Sequence, residues 1–197
     1  MATSKEKKPR LTSPTGIACF EHVWEPHAME EGKDKKYSLL LVFTPEVSGD
    51  MKKALAELKQ KCMAAATEKF GEDAWRAMHK KGKFRFPWRK GDEYEDYGAP
   101  FTDDGAMFCV FQSTSPPGVV DRRAKPITDR SDFYSGALAR VTYAVWAYDS
   151  NGNKGVTLLL NNVQKIKDGE RLSGKPSAED DFEGVEGDDE EEEDLDI

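Results

Sequence analysis

Five or so strand-like runs at uneven spacing, a long amphipathic helix after the second, and a closing Asn-Gly hairpin predict a mainly β fold with inserted helices. The architecture they fit is an OB-fold-like five-stranded Greek-key barrel, or else another compact α+β sheet. At 197 residues the chain has room for one such domain with appendages.

Residues 1–15 are charged, carry Pro9 and Pro14, and read as a flexible basic arm. Ile17 to Trp24 has strand composition and should end at Pro26, which cannot donate to a ladder. After a charged loop, Tyr37 to Phe43 is a short apolar run, expected as a buried strand stopped by Pro45. Ser48 is the expected N-cap of the helix that follows. Met51, Leu55, Leu58, Cys62 and Ala65 recur at helical spacing, and Gly71 is a stop. A shorter helix is expected over Glu72–His79. Residues 80–105, punctuated by Gly82, Pro87, Gly91, Gly98, Pro100 and Gly105, predict a long excursion with little regular structure. Ala106 to Gln112 reads as a strand, Ser115 to Gly118 as a turn and 121–135 as a polar connection. Gly136–Tyr148 and Gly155–Lys165 then mirror each other across a turn containing Asn151-Gly152. These elements place the folded domain at 16–174.

Charge is segregated along the chain. The net charge is −8, yet residues 179–197 hold thirteen acids and no base, which leaves 24 acids against 29 bases in residues 1–178. A basic body therefore carries an acidic tail, expected to be disordered from 175 to 197. No apolar run approaches the ~18 residues of a bilayer span. Cys19, Cys62 and Cys109 are odd in number and far apart, so they read as free thiols of a reducing compartment. With His22, His27 and His79 they form no ligand spacing, and neither a metal nor a cofactor is expected.

The most informative segment is Lys80 to Gly91: six of its twelve residues are basic, three are aromatic and none is acidic. Duplex DNA hides its base faces, whereas a single strand offers phosphates and base faces together. In an extended segment Phe84, Phe86 and Trp88 would project to one side as stacking rings, with Lys83, Arg85, Arg89 and Lys90 reaching phosphates. The alternative packs the rings into a core and leaves the cations solvated. On Gly136–Tyr148 the set Ala137, Ala139, Val141, Tyr143, Val145 and Ala147 makes the smoother core face. Arg140, Trp146 and Tyr148 share the other face, either as an outer stacking platform or with Trp146 in a second packing layer under the helix. Arg122 and Arg123 extend a possible cationic track.

Catalytic readings find less support. Asp92, Glu93, Glu95 and Asp96 could suggest a metal-dependent nuclease, but they crowd one glycine-bounded loop without a supporting His or Lys. No nucleophile elbow, phosphate loop or dinucleotide fingerprint is present, so no enzyme is expected. Ahead of the nuclease, the runner-up reading is an acidic-tailed adaptor whose body binds another protein. In the tail, Asp188, Asp189, Glu190, Glu191, Glu192, Glu193, Asp194, Leu195, Asp196 and Ile197 combine dense charge with two terminal apolar residues. Such a tethered segment could occupy a basic groove or grip a partner.

Phe133-Tyr134-Ser135-Gly136, Gly152-Asn153-Lys154-Gly155, Asn162-Val163-Gln164 and Asp168-Gly169-Glu170-Arg171-Leu172 resemble a family of bacteriophage single-stranded DNA-binding proteins. Pro117 to Asp121 and Thr44-Pro45 before the helix fit the same pattern, so the resemblance spans roughly residues 10–175. It implies an OB-fold protein, monomer or weak homodimer, that coats single-stranded DNA during replication, recombination or repair in the cytoplasm of an infected bacterium. It further implies a tail that competes with DNA and docks DNA polymerase, helicase or other replication proteins. Individual contact residues do not come with the resemblance and rest on the charge and ring argument.

Overall fold

Tyr37 to Phe43 is apolar at nearly every position because the strand it forms is buried on both faces. The computed structural model describes residues 10–28, 32, 34–150 and 152–172. Most of the expected basic arm and all of the expected acidic tail lie outside the described residues.

In chain order the elements are β1 (Leu11–Thr12), β2 (Gly16–His27), β3 (Lys36–Phe43), α1 (Met51–Phe70) and α2 (Glu72–Lys80). Next come β4 (Phe84–Arg85), β5 (Trp88–Lys90), a 3₁₀ segment at Gly91–Tyr97, β6 (Met107–Ser113) and β7 (Gly118–Val120). The 3₁₀ turn Arg130–Asp132 precedes β8 (Leu138–Ser150) and β9 (Asn153–Lys167). Five strands close a ring: β2 pairs β3, β3 pairs β6, β6 pairs β9, β9 pairs β8, and β8 returns to β2. The order β8-β2-β3-β6 sets the ring's fourth strand beside its first, which is the Greek-key arrangement. All contacts around the ring are antiparallel except β6–β9.

Leu39, Leu41, Phe43, Phe111, Val141, Tyr143 and Leu158 fill the interior. Leu55, Leu58, Cys62 and Ala66 of α1 join the same core. A second cluster lies on the opposite face of β3, where Leu40, Val42 and Phe108 are covered by Phe101 and Ala106, with Tyr94 packed against them.

Several boundaries differ from expectation for local reasons. Asp50, not Ser48, caps α1, its Oδ1 accepting from the Lys53 N–H at 3.3 Å; Ser48 is drawn back into a turn by its own N–H to the Thr44 carbonyl. Ala66 is buried in place of Ala65, since the stripe drifts with the 3.6-residue period. Strand β2 runs through Pro26 to His27. The register jumps between His22↔Ser38 and His27↔Lys36, so the proline falls in a bulge with no rung to break. The 80–105 excursion contains two short strands and a 3₁₀ segment, and the β8–β9 ladder runs on to the pair Ser150↔Asn153, with Gly152 at φ +78°.

Candidate nucleic-acid interface

Strands β6 and β9 run parallel but share only the pairs Phe111↔Leu158 and Gln112↔Leu159. The gap beside those rungs is filled by the basic aromatic segment. β4 adds in parallel to β9 at Lys154 and Gly155, the chain reverses at Phe86-Pro87, and β5 adds antiparallel to β6 from Cys109 to Met107. Gly155 permits this, because a Cβ there would stand 2.4 Å from the Arg85 carbonyl oxygen and 2.8 Å from the Tyr148 hydroxyl.

The segment is not extended as expected: the turn at Phe86-Pro87, not strand alternation, brings the three rings together, and Phe84 is not a stacking residue. It is 2% exposed and meets Phe70 edge-on at 5.5 Å, with Trp75 at 6.2 Å. The helices α1 and α2 supply apolar surface directly against it, which the segment's own sequence does not contain. Phe86 sits edge-on to Trp75 (5.4 Å) and His79 (5.3 Å) and stacks on Trp88. Both Phe86 and Trp88 are half-buried and line an open groove of about 600 Å³ with Lys59, Arg85, Arg89 and Met107. Lys83, Arg85, Arg89 and Lys90 are exposed; Arg89 is paired with Glu93 at 3.2 Å. Lys59, from the polar side of α1, lies 5.8 Å from the Trp88 ring centre.

On β8 the face chosen for the core is buried at Ala139, Val141, Tyr143 and Ala147. Trp146 points outward from the barrel, 44% exposed, opposite Thr157 and 5.9 Å from the Lys69 ammonium. Tyr148 lies at one end of this face beside Arg85, and Arg140 at the other. Eight residues of strand separate them, about 27 Å. At the Arg140 end, its Nε donates to Gln164 Oε1 at 2.8 Å, while Gln164 Nε2 donates to the carbonyls of Asp121 (3.1 Å) and Arg122 (3.3 Å). Arg122 and Arg123 project from a turn built by Asp121, whose carboxylate accepts from the backbone of Arg123 and Lys125. The Lys125 N–H above all holds that carboxyl below its ordinary range. Exposed cations thus stand at both ends of one outer face, with a tryptophan between.

Two sets of contacts escape sequence reasoning, the second among residues already quoted for the family resemblance. At a bulge in β2, Phe20 adopts φ +48° and turns outward against Tyr97, 5.1 Å away. The signal is absent because a bulge re-aims one side chain without changing composition. The second is a clasp. Tyr134 donates to Asp168 at 2.9 Å and to the Gly169 carbonyl at 3.1 Å, while the Arg171 guanidinium lies 3.9 Å from its ring centre. Gly136 is required there, since a Cβ would stand 1.7 Å from the Glu170 carbonyl oxygen. Asp92, Glu95, Asp103 and Asp104 line an adjoining open groove with Lys59 and Lys90, while Glu93 lines the aromatic one. Among the described residues no three His, Cys, Asp or Glu side chains gather to hold a metal ion.

Comparison with known proteins gives this geometry a context. Residues 17–195 match the family described as Enterobacter phage Enc34, ssDNA-binding protein. The single-stranded DNA-binding protein of bacteriophage Enc34, solved in complex with ssDNA, superposes with a TM-score of 0.64 at 18% identity, covering 83% of this chain and 89% of that one. The single-stranded DNA-binding protein gp2.5 of bacteriophage T7 superposes with a TM-score of 0.56 at 17% identity, covering 89% and 93%. Protein p50 of Acyrthosiphon pisum secondary endosymbiont phage 1 is 36% identical over 93 residues, 46% of this chain; the match spans 47% of that relative's length.

Proposed function

The chain belongs to the phage single-stranded DNA-binding protein family matched over residues 17–195, and from that premise we propose that it coats single-stranded DNA without requiring a particular sequence. The observation that carries the reading is the outer face of β8, with Trp146 exposed between the Arg85 end and the Arg122–Arg140 end. Rings interleaved with cations suit a strand that presents phosphates and open base faces at once. In this reading Trp146, Tyr148, Phe86 and Trp88 stack bases. Lys83, Arg85, Arg89, Lys90, Arg122, Arg123 and Arg140 contact phosphates. Coating of this kind serves DNA replication, recombination or repair in the cytoplasm of an infected bacterium.

The acidic tail, Asp188 to Ile197 above all, is the second part of the proposal. Thirteen negative charges on a tether imitate a nucleic-acid backbone at high effective concentration, so the tail occupies the basic face until DNA displaces it. Leu195 and Ile197 then offer an apolar grip to a DNA polymerase, helicase or other replication protein.

Fluorescence anisotropy tests both parts, using labelled oligo-dT and a matched duplex at two salt concentrations, with the full chain and a version ending at Ala178. Salt-sensitive preference for the single strand, tighter without the tail, is the expected result. Absence of any single-strand preference in both versions would overturn the stacking account and favour a protein-binding adaptor.

A further inference from the structure

We infer that the groove between the β2 bulge and the Gly91–Tyr97 turn docks a segment of another protein that carries apolar anchors among lysines or arginines. Five large apolar side chains are exposed among the described residues, and they divide between two faces. Trp146 and Leu159 lie on the outer face of β8 and β9. Phe20, Tyr97 and Leu172, at 39%, 61% and 39% exposure, instead line one groove of about 350 Å³. Phe101 and Ser135 stand in the same wall, and none of the lining residues belongs to the basic aromatic segment or to β8. A partner seated here leaves the proposed single-strand face uncovered.

Phe20 is the distinctive member. A bulky side chain at φ +48° is a rare conformation, and here it sets the ring edge-on to Tyr97, 5.1 Å away. Behind this pair Tyr94 stacks on Tyr97 at 5.4 Å and on Phe101 at 5.5 Å, so the exposed rings rest on a packed aromatic base. Apolar surface gathered on a firm aromatic support suits the anchors of a protein partner. Charge decides what those anchors are set among. Phe101 also lines the adjoining groove of Asp92, Glu95, Asp103 and Asp104, and Glu21 lies in the wall beside Phe20. Those five carboxylates outnumber two ammonium groups, Lys59 and Lys90. Burial and the neighbouring His27 lower the pKa of His22, so that member of the wall adds no charge at neutral pH. Such a rim repels nucleic acid, the acidic tail and, face to face, the same patch on a second copy, whereas it attracts cationic flanks.

The test titrates the isotope-labelled full chain with a short synthetic peptide bearing two leucines among lysines, and follows its amides by NMR. The amides of Phe20, Tyr97 and Leu172 should shift, and a control peptide with both leucines replaced by serine should leave them in place. Tyr97→Ser and Leu172→Ser should each weaken the leucine peptide about 3- to 10-fold, the scale of part of one buried apolar side chain. Oligo-dT affinity should hold in both variants, with thermal melting checking the fold. Glu95→Gln combined with Asp103→Asn should weaken the peptide and flatten its salt dependence. Shifts confined to residues 179–197, equal binding of the serine peptide, or native affinity in both groove variants would overturn the docking site. Self-association of the chain through these residues, seen by sedimentation without peptide, would overturn it in favour of a second copy. None of these results bears on single-strand binding, which the oligo-dT measurement reads separately.

Discussion

Phe86 and Trp88 lie face to face, 4.4 Å between ring centres and 17° between planes. Each therefore has one face occupied by the other, and Phe86 also meets Trp75 and His79 edge-on. Trp146 is 44% exposed on the outer face of β8. Trp146→Ala should weaken oligo-dT binding by about 1–3 kcal/mol with an unchanged melting temperature. Trp88→Ala should lower affinity and stability together, because it removes part of the wall between β6 and the helices. Anisotropy paired with thermal melting separates the two. A Trp146→Ala chain that binds oligo-dT as tightly as the native one would remove this ring from the interface.

Gly155 holds β4 against β9 because it has no side chain. Gly155→Ala should cost about 1–3 kcal/mol, the scale of forced overpacking, since the neighbours to be moved are the Arg85 carbonyl and the Tyr148 hydroxyl. Urea denaturation gives the loss of stability. Amide exchange should also show Arg85 losing protection before the long β8–β9 ladder does.

The cluster at Arg140 makes a quantitative electrostatic claim. Each phosphate contact on a single strand contributes about 0.7 to the slope of log affinity against log salt. Arg122→Gln and Arg140→Gln should each flatten that slope by about this amount, nearly equally for every oligonucleotide. A weaker affinity with an unchanged slope would mean that these arginines act through Gln164 and the turn, not on phosphate.

Burial pushes the Cys19 and Cys62 thiols up to about 12, with Glu21 adding to the effect at Cys19, and raises Cys109 further still. Unfolded thiols lose their protons near the ordinary value of 9.0, whereas the folded ones keep them. The unfolded state thus binds fewer protons above pH 9, so the stability is complete below that value and is lost as pH rises towards 12. Urea denaturation under reducing conditions should show a lower unfolding free energy at pH 10 than at pH 8. Thiol-reactive dye at pH 8 should label the three cysteines only after denaturation.

What can be read from the chain follows from how local each signal is. The Tyr37–Phe43 run, the α1 stripe and the Asn-Gly hairpin are legible because periodicity and turn chemistry lie within a few residues. The alternation of Phe84, Phe86 and Trp88 marks three rings that do meet, but through a turn at Phe86-Pro87 that the extended reading does not contain. It cannot say what faces them, because Phe70 and Trp75 arrive from two helices. For the same reason Arg140 and Arg122 look unrelated in sequence and meet only through Gln164, once β7 has paired with β9.

The ring is sewn unevenly. Thirteen register pairs join β8 to β9 and seven join β3 to β6, but only Gly16↔Ala139 and Ile17↔Leu138 join β2 to β8. At the other thin contact, between β6 and β9, the Phe84–Lys90 segment caulks the gap; among the described residues the β2–β8 contact is flanked by β1, the Ser13 bonds to Val141, the Ser135–Glu21 bond and the Ala18 backbone bonds to Gly136 and Ala137. If those few rungs open, a barrel without edges becomes a sheet with two, each offering unpaired backbone groups to another chain. Strand exchange between crowded copies would then start at the front of β2, and a disulfide or proline that kept this seam shut would suppress it without touching the outer face of β8.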